Sequence, residues 1–455
     1  MPSKLHPSFL DPLTTQRASG VSALDSHSGI LGVEVIRDPA KLSALEHEWE
    51  DLATRASVPV FQSFDWMSLW WKHFGLHTDR TLHAVTVRRE GVLVAILPLF
   101  EEREGFPGII VRRRLRLMGA GVPNPGSYGL LSVYGPTDYL GAIVDPAYAN
   151  DVAGAFASHI MRDCTDVDDL LLEHVPAGSF ILAHLIPLLR DGGRTIRLEQ
   201  TDGCPRLSLP PSMEAFFASL GSNTRRRLTQ ARKAVGELFA IQNVTTVAEF
   251  DPAYRALVAL HQRRWNELGF AGLFSDSRFT AFHRELSIRF LTKGILSLKS
   301  AQADGTSIAV RLLYLYNGGC YDYLSGFDDR APASRRRPGM ALLLDAMEEA
   351  IGKGFHTMDF LRGDEGYKFD FTNEVRWNSR VHVDLGYGRS LPIRVLSGAS
   401  GLWRSMRHHL FQEWSLLEVQ LRRQGIIRGV PSYLGFRLKR LQLKKSVKTL
   451  DNDTN

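Results

Sequence analysis

From about residue 295 the chain alternates apolar and polar positions in a regular way. Ile295–Ala301 predicts a strand, Asp304 and Gly305 a turn, and Ile308–Tyr316, rich in aliphatics and Tyr, a second strand. Asn317-Gly318 reads as a hairpin turn, because both residues tolerate positive φ. Cys320–Leu324 predicts the third strand. A loop rich in Gly, Pro and Arg, Gly326–Pro338, then opens into a segment with Leu342, Leu343, Ala346, Met347 and Ala350 on one face. That spacing predicts a helix over Gly339–Lys353, with Gly354 as its C′ residue. Thr357–Leu361 predicts a short buried strand, so the order is β-β-β-α-β.

The same plan is written more faintly upstream. Leu82–Arg88, Val92–Phe100 and Arg114–Gly119 predict strands, with a turn at Glu90-Gly91. Tyr139–Val144 precedes a predicted helix over Tyr148–Arg162, and Asp169–Glu173 repeats the buried strand after it. Helices are predicted ahead of each strand set: Pro39–Thr54 and Trp66–Phe74 in the first, Pro252–Leu268 and Arg278–Thr292 in the second, with Asp251 as an N-cap. Two α/β units of similar design follow, meeting near Thr201–Pro210, each a mixed sheet covered by helices. The expected divisions are a disordered start (1–28), a first unit (29–200), a second unit (201–390) and a basic helical tail (391–455). In the tail, Leu410, Trp414, Leu417 and Leu421 recur at helical spacing, for packing on the domains or for an interfacial helix.

At 455 residues the chain is too long for one ordinary core, and 44% hydrophobic with 23% charged residues is a globular composition. The first seven residues lack an apolar run, and no stretch approaches the roughly 20 apolar residues that span a bilayer. The expectation is a cytoplasmic protein, with membrane-peripheral contact as the tail's alternative. Cys164, Cys204 and Cys320 show no metal spacing and no disulfide framework, so buried thiols and no metal are expected. The net charge of +6 gathers at Arg112–Arg116, Arg225–Lys233, Arg335–Arg337 and Arg404–Lys448, which suggests anionic partners. No helix-turn-helix, zinc finger or RNA-binding aromatic motif is present, so nucleic acid is not an expected partner.

The densest chemistry lies in Arg335-Arg336-Arg337-Pro338-Gly339-Met340-Ala341, between a strand and a helix. Proline suits a first helical turn, glycine lets a ligand approach the backbone, and a helix start offers free N–H groups and the positive end of a dipole. Three arginines add full charges, so these seven residues read as a pyrophosphate site or as a solvated basic loop. A two-turn stripe, Arg225, Arg226, Arg232 and Lys233, is a second anion candidate, on a helix over Asn223–Leu238 that Ser222 could cap.

Arg336-x-x-Gly339-x-Ala341 resembles the Arg/Gln-x-x-Gly-x-Gly/Ala loop with which GNAT acyltransferases bind the pyrophosphate of acetyl-CoA. Longer blocks resemble the CelD (BcsL-like) family of that superfamily, linked to cellulose and exopolysaccharide biosynthesis. They are Phe61–Trp66 with Trp70–Gly75, Ser222–Arg227, Leu260–Trp265, Tyr323–Asp328 and Asp359–Lys368. The resemblance covers about residues 45–385 and implies tandem GNAT-like domains akin to the Fem-type transferases. It implies acetyl-CoA or another acyl-CoA as donor, and a small-molecule or saccharide acceptor. By it, Leu324 and Ser325 line the pantetheine strand, and Asp138 and Tyr139 touch the acceptor. The alternatives are an aminoacyl-tRNA-dependent transferase and a non-catalytic scaffold of a polysaccharide synthase complex.

Acyl transfer also needs a base and a proton for the leaving thiolate. Asp359, inside an apolar strand, and Glu365, in the loop after it, are the first candidates for the base; a structural acceptor and an exposed loop carboxylate are the alternatives. Tyr367 is the candidate proton donor or a packing residue, and Lys368 orients an anionic group or lies at the surface. His261, with Arg264 and Trp265 on one predicted helix, could wall the acceptor cleft or be a satisfied core histidine.

Overall fold

The computed structural model describes residues 31–76, 79–106, 109–121, 136–267, 271–363 and 365–386. The expected disordered start and basic tail lie outside the described residues. The first half runs β1 (Leu31–Ile36), α1 (Pro39–Ser43), α2 (Glu46–Arg55), α3 (Phe64–Trp70), β2 (Arg80–Arg89), β3 (Val92–Phe106), β4 (Ile109–Leu117), β5 (Ile143–Val144), α4 (Ala149–Arg162), β6 (Asp169–Pro176), α5 (Ile186–Asp191) and β7 (Thr195–Ser208). The second runs α6 (Met213–Ser219), α7 (Ser222–Lys233), β8 (Ala240–Asn243), α8 (Val247–Glu267), α9 (Ser277–Thr292), β9 (Leu296–Ala303), β10 (Thr306–Tyr316), β11 (Gly319–Phe327), α10 (Pro338–Gly352), β12 (Thr357–Asp359) and β13 (Val375–Asp384).

All thirteen strands join one sheet, ordered β1-β2-β3-β4-β6-β13-β7-β12-β11-β10-β9-β8, with β5 beside β3. Read inward from either end, the plan is the same. Four antiparallel strands lead to a parallel partner across a short ladder, β4 to β6 and β11 to β12. The two central strands are exchanged: β13, from the end of the second half, lies between β6 and β7, and β7, from the end of the first, lies between β13 and β12. Each half therefore completes its sheet with a strand of the other. The junction expected near Thr201–Pro210 falls inside β7.

Packing follows the same rule. One apolar cluster runs from Trp49, Phe61 and Trp66 through Leu115 and Val175 to Leu257, Phe282, Tyr314 and Tyr321. Trp66 sits edge-on to both Phe282 and Tyr314, with ring centroids 5.4 and 5.7 Å away. At the Asn317-Gly318 turn both residues take positive φ, and the Asn317 amide donates to the carbonyls of Ala53 and Val58 in the first half.

Some local expectations give way to tertiary context. The helix expected from Pro252 begins at Val247, because Glu249 accepts from the amides of Thr245 and Thr246 while Thr246 Oγ1 accepts from the amide of Glu249. Asp251, the expected cap, instead pairs with Arg284 at 2.8 Å. Helix Pro39–Thr54 is interrupted between α1 and α2, and α7 starts at Ser222 behind Gly221 and ends at Lys233. The arginines of β4 are not an anion-binding patch. Arg113 pairs with Glu101, Arg114 with Glu104 and Asp169, and Arg116 with Glu102 and Glu173, all acids of the neighbouring strands β3 and β6.

Shared strands and a shared core predict that the halves cannot melt separately. Scanning calorimetry of the full chain should give one cooperative transition; two resolved transitions would contradict the exchange.

Candidate active site

Helix α10 begins unusually. A short 3-10 turn, Pro332–Arg336, leads to Arg337, which takes the left-handed conformation at φ 57° and serves as N-cap without any side-chain cap. A non-glycine residue there costs about 1–3 kcal/mol, a strain that proteins place at functional turns. The amides of Met340 and Ala341 donate to the Arg337 carbonyl at 2.9 and 3.2 Å, while Pro338 has no N–H and the Gly339 amide has no helical acceptor. A Cβ built on Gly339 would meet only Arg311 Nη2, at 3.9 Å. Arg335, Arg336 and Arg337 are exposed around this open start, and the Ala341 methyl is buried in the core beneath it.

Arg311 went unnoticed in the sequence, although an arginine within the apolar run Ile308–Tyr316 was its signal. It is buried on β10, donates to Asp322 of β11, and shares that carboxylate with the Tyr367 hydroxyl, 3.3 Å from Asp322 Oδ2. Burial pushes the Tyr367 phenol up, so its hydroxyl stays protonated.

The equivalent helix in the first half has no side-chain cap of its own either, but it is entered through a 3-10 turn, Pro146–Tyr148, that Asp145 caps. Asp145 accepts from the Ala147 amide at 3.1 Å and pairs with Arg55, and Asp151 adds a second carboxylate in the first turn of α4. One helix start carries carboxylates and the other carries arginines, in the same place on the same plan.

Beside α10 the sheet splits. β11 and β12 pair in parallel over three residues only, ending at Tyr321 opposite Asp359. β11 continues through a bulge at Tyr323, where Leu312 faces Leu324 but Leu313 faces Asp322. Meanwhile the chain after Asp359 turns away, with Phe360 donating to the Pro205 carbonyl. Leu324 and Ser325 lie past the bulge on an edge that has no strand partner among the described residues.

Asp359 stands at the apex of this split. Its carboxylate accepts from the Tyr139 hydroxyl, 2.9 Å from Oδ2, and from the Leu361 amide at 2.9 Å. Burial outweighs these bonds and pushes its pKa up to about 6. Tyr139 comes from the first half with φ 50°, and the Gln62 amide holds its carbonyl at 2.9 Å. Its neighbour Asp138 pairs with Arg362 of the second half. Phe61 packs edge-on to Tyr321 and Tyr139, with centroids 5.7 and 6.2 Å away. Sequence blocks some 300 residues apart, Phe61–Trp66 and Asp359–Arg362, thus meet at one point.

The remaining candidates divide. Lys368 is no surface residue: its ammonium is buried, donates to the carbonyls of Leu361 and Arg362 at 3.3 and 2.8 Å, and pairs with Glu365 at 2.8 Å, clamping the loop after Asp359. Glu365 is exposed on that clamp. Asp364 lies outside the described residues. His261 is in the core, edge-on to Phe274 at 5.2 Å, with burial pushing it down to about 4. Arg264 lies over the Phe327 ring, 4.4 Å away, and Trp265 beside His261. The basic stripe on α7 is broken: Arg225 donates to the carbonyls of Phe217, Ala218 and Leu220, and Arg232 pairs with Glu348, while Arg226 is exposed.

Residues 222–369, which hold the split, the open helix start and the Asp359 loop, match the family model described as "Acetyltransferase (GNAT) domain". The match covers about a third of the chain, and over it the chain is similar to GNAT acetyltransferase domains. The structure of FemX is similar in fold, with a TM-score of 0.53 at 12% identity over 77% of this chain and 98% of that one. The tandem GNAT protein from the clavulanic acid biosynthesis pathway gives a TM-score of 0.41 at 14% identity, over 79% of this chain and 100% of that one. L-PGS from Bacillus licheniformis gives 0.43 at 11%, over 80% and 97%. No curated protein matches the chain. The family match is to the GNAT domain in general and does not reach the narrower CelD-like family. Among the described residues no helix is long and apolar enough to cross a membrane.

Two outcomes follow. Lys368→Met should lower stability by roughly 1–3 kcal/mol in urea titration, since the loop carbonyls lose their charged donor; an unchanged midpoint would remove the clamp. The Asp359 carboxyl has a folded pKa of about 6 against an ordinary 3.8. Its protonated form is therefore favoured by folding, and that stabilisation is complete below about pH 4 and lost as pH rises through 6. The stability of the wild type relative to Asp359→Asn should fall across that window and level off above it. A flat difference would show that the carboxyl is not perturbed.

Proposed function

We propose that the protein transfers an acyl group, acetyl in the simplest case, from acyl-CoA to a hydroxyl or amino group of a saccharide or cell-envelope precursor. The observation that carries the donor assignment is the asymmetry of the two helix starts. In α10 the first turn is glycine-open and ringed by Arg335, Arg336 and Arg337, as a diphosphate requires; the 3-10 turn that leads into α4 is capped by Asp145, and the first turn of α4 carries Asp151. The first half then serves as a wall, delivering Tyr139 and Asp138 to the split. The acceptor class rests on the sequence blocks that resemble the CelD-like family.

In this reading the unpartnered edge of β11 at Leu324 and Ser325 receives the extended arm of the donor. The acceptor's oxygen or nitrogen attacks the thioester carbonyl, a C–O or C–N bond forms and the C–S bond breaks. Asp359, ionised above about pH 6, takes the acceptor's proton, with Tyr139 holding the carboxylate in place. Tyr367, kept protonated by burial, gives its proton to the departing sulfur, and exchange with solvent then removes the proton from Asp359 and restores the one on Tyr367. Glu365, salt-bridged and exposed, takes no part.

Isothermal titration of acetyl-CoA into the wild type and Gly339→Asp tests the donor site. Space for the new side chain is open, and a carboxylate in a first helical turn does not destabilise the helix. Folding should persist while affinity falls at least tenfold; equal affinity in the two proteins would refute the site. Thiol release with an accepting saccharide should fall at least about 100-fold in Asp359→Asn and stay within about twofold in Glu365→Gln. The reverse ranking would move the base to Glu365.

A further inference from the structure

A second group of reactive side chains lies in the first half, around β2, which is far in sheet order from β11 and β12. His83 stands on β2, His159 in the last turn of α4, and Cys164 just beyond that helix. All three are buried. Their donor atoms converge: His83 Nε2 and His159 Nε2 are 3.0 Å apart, and Cys164 Sγ lies 3.6 Å from the second and 3.9 Å from the first. The cysteine pattern along the chain gave no hint of this, because the histidine that completes the group comes from 81 residues earlier.

We propose that His83, His159 and Cys164 bind one zinc-type divalent ion, as a structural site that pins the end of α4 to β2. Three observations carry it. The first is the size of the triangle. With Zn–N near 2.0–2.1 Å and Zn–S near 2.3 Å at tetrahedral angles, ligand atoms stand about 3.3 Å apart for N to N and about 3.6 Å for N to S. The three sides found here fall within about 0.3–0.4 Å of those values. The second is the outer contact: His159 Nδ1 is 2.9 Å from the Asp163 carboxylate, which fixes the proton on Nδ1 and turns the Nε2 lone pair inward. The third is the pairing itself. A hydrogen bond between the two imidazoles uses one proton and gives no reason for the thiol to lie within 4 Å of both nitrogens; one cation at the centre accounts for all three. Two imidazoles and a thiolate select zinc or cobalt over magnesium or calcium, and a water completes the fourth position.

The test uses the full chain without an affinity tag, stripped with chelator and reloaded. Elemental analysis should give one zinc per chain with a rise in Tm. Cobalt(II) loading should give intense tetrahedral d–d bands and a near-ultraviolet thiolate-to-metal band. Cys164→Ser, nearly isosteric, should abolish the thiolate band and weaken zinc at least tenfold. His83→Gln should weaken it similarly, while His184→Ala, at a half-buried histidine of the same half that lies outside the triad, should not. Less than a tenth of an equivalent after reloading, octahedral cobalt spectra, or a thiolate band that survives Cys164→Ser would each overturn the proposal.

Discussion

The fold hangs on the exchange of two strands. β7 leaves the first half to lie against β12, β13 leaves the second to lie against β6, and the two are paired with each other along nearly their whole length. Neither half can close its sheet alone. The exchange also brings the chain of the first half up to the split in the second, so that Tyr139 reaches Asp359 and Asp138 reaches Arg362.

The two halves repeat one plan, and the rest of the geometry follows from where they differ. The two halves share an order of elements, a parallel ladder of three residue pairs and a helix that starts beside it. What differs is charge. Acids and arginines fill the β3–β4–β6 region of the first half with buried ion pairs, and Asp145 caps the turn that leads into its helix. In the second half Arg311 and Asp322 form a single buried pair behind the opening, and the helix start stays bare. A buried pair such as this is costly to break, since removing one member strands a charge, and so holds β10 against β11 at the split.

Much of this was legible in the sequence. The Asn317-Gly318 turn, the helix after Arg337 and the strands on either side of them follow from apolar spacing and turn chemistry, which are local. The two central strands were not legible. β7, Thr195–Ser208, is largely polar and partly exposed, and β13 carries Arg376, Asn378, Arg380 and His382 among few aliphatics. Their pairing is dictated by neighbours nearly 200 residues away. Lys368 and Arg225 were misread for a related reason: a long cation whose partners are backbone carbonyls looks, in sequence, like one waiting for a ligand. Several residues of the resemblance blocks build rather than react. Ser63 caps α3, Gln62 holds Tyr139, and Asp65 pairs with Arg289 and Lys293.

Amide hydrogen exchange with and without acetyl-CoA bears most directly on the proposal that donor binding belongs to the second half alone. Protection should appear in peptides covering 319–327 and 336–343, and the segment 145–151, at the acidic entry to the first half's helix, should be unchanged. Protection at 145–151 instead, or none in either region at saturating ligand, would contradict the account.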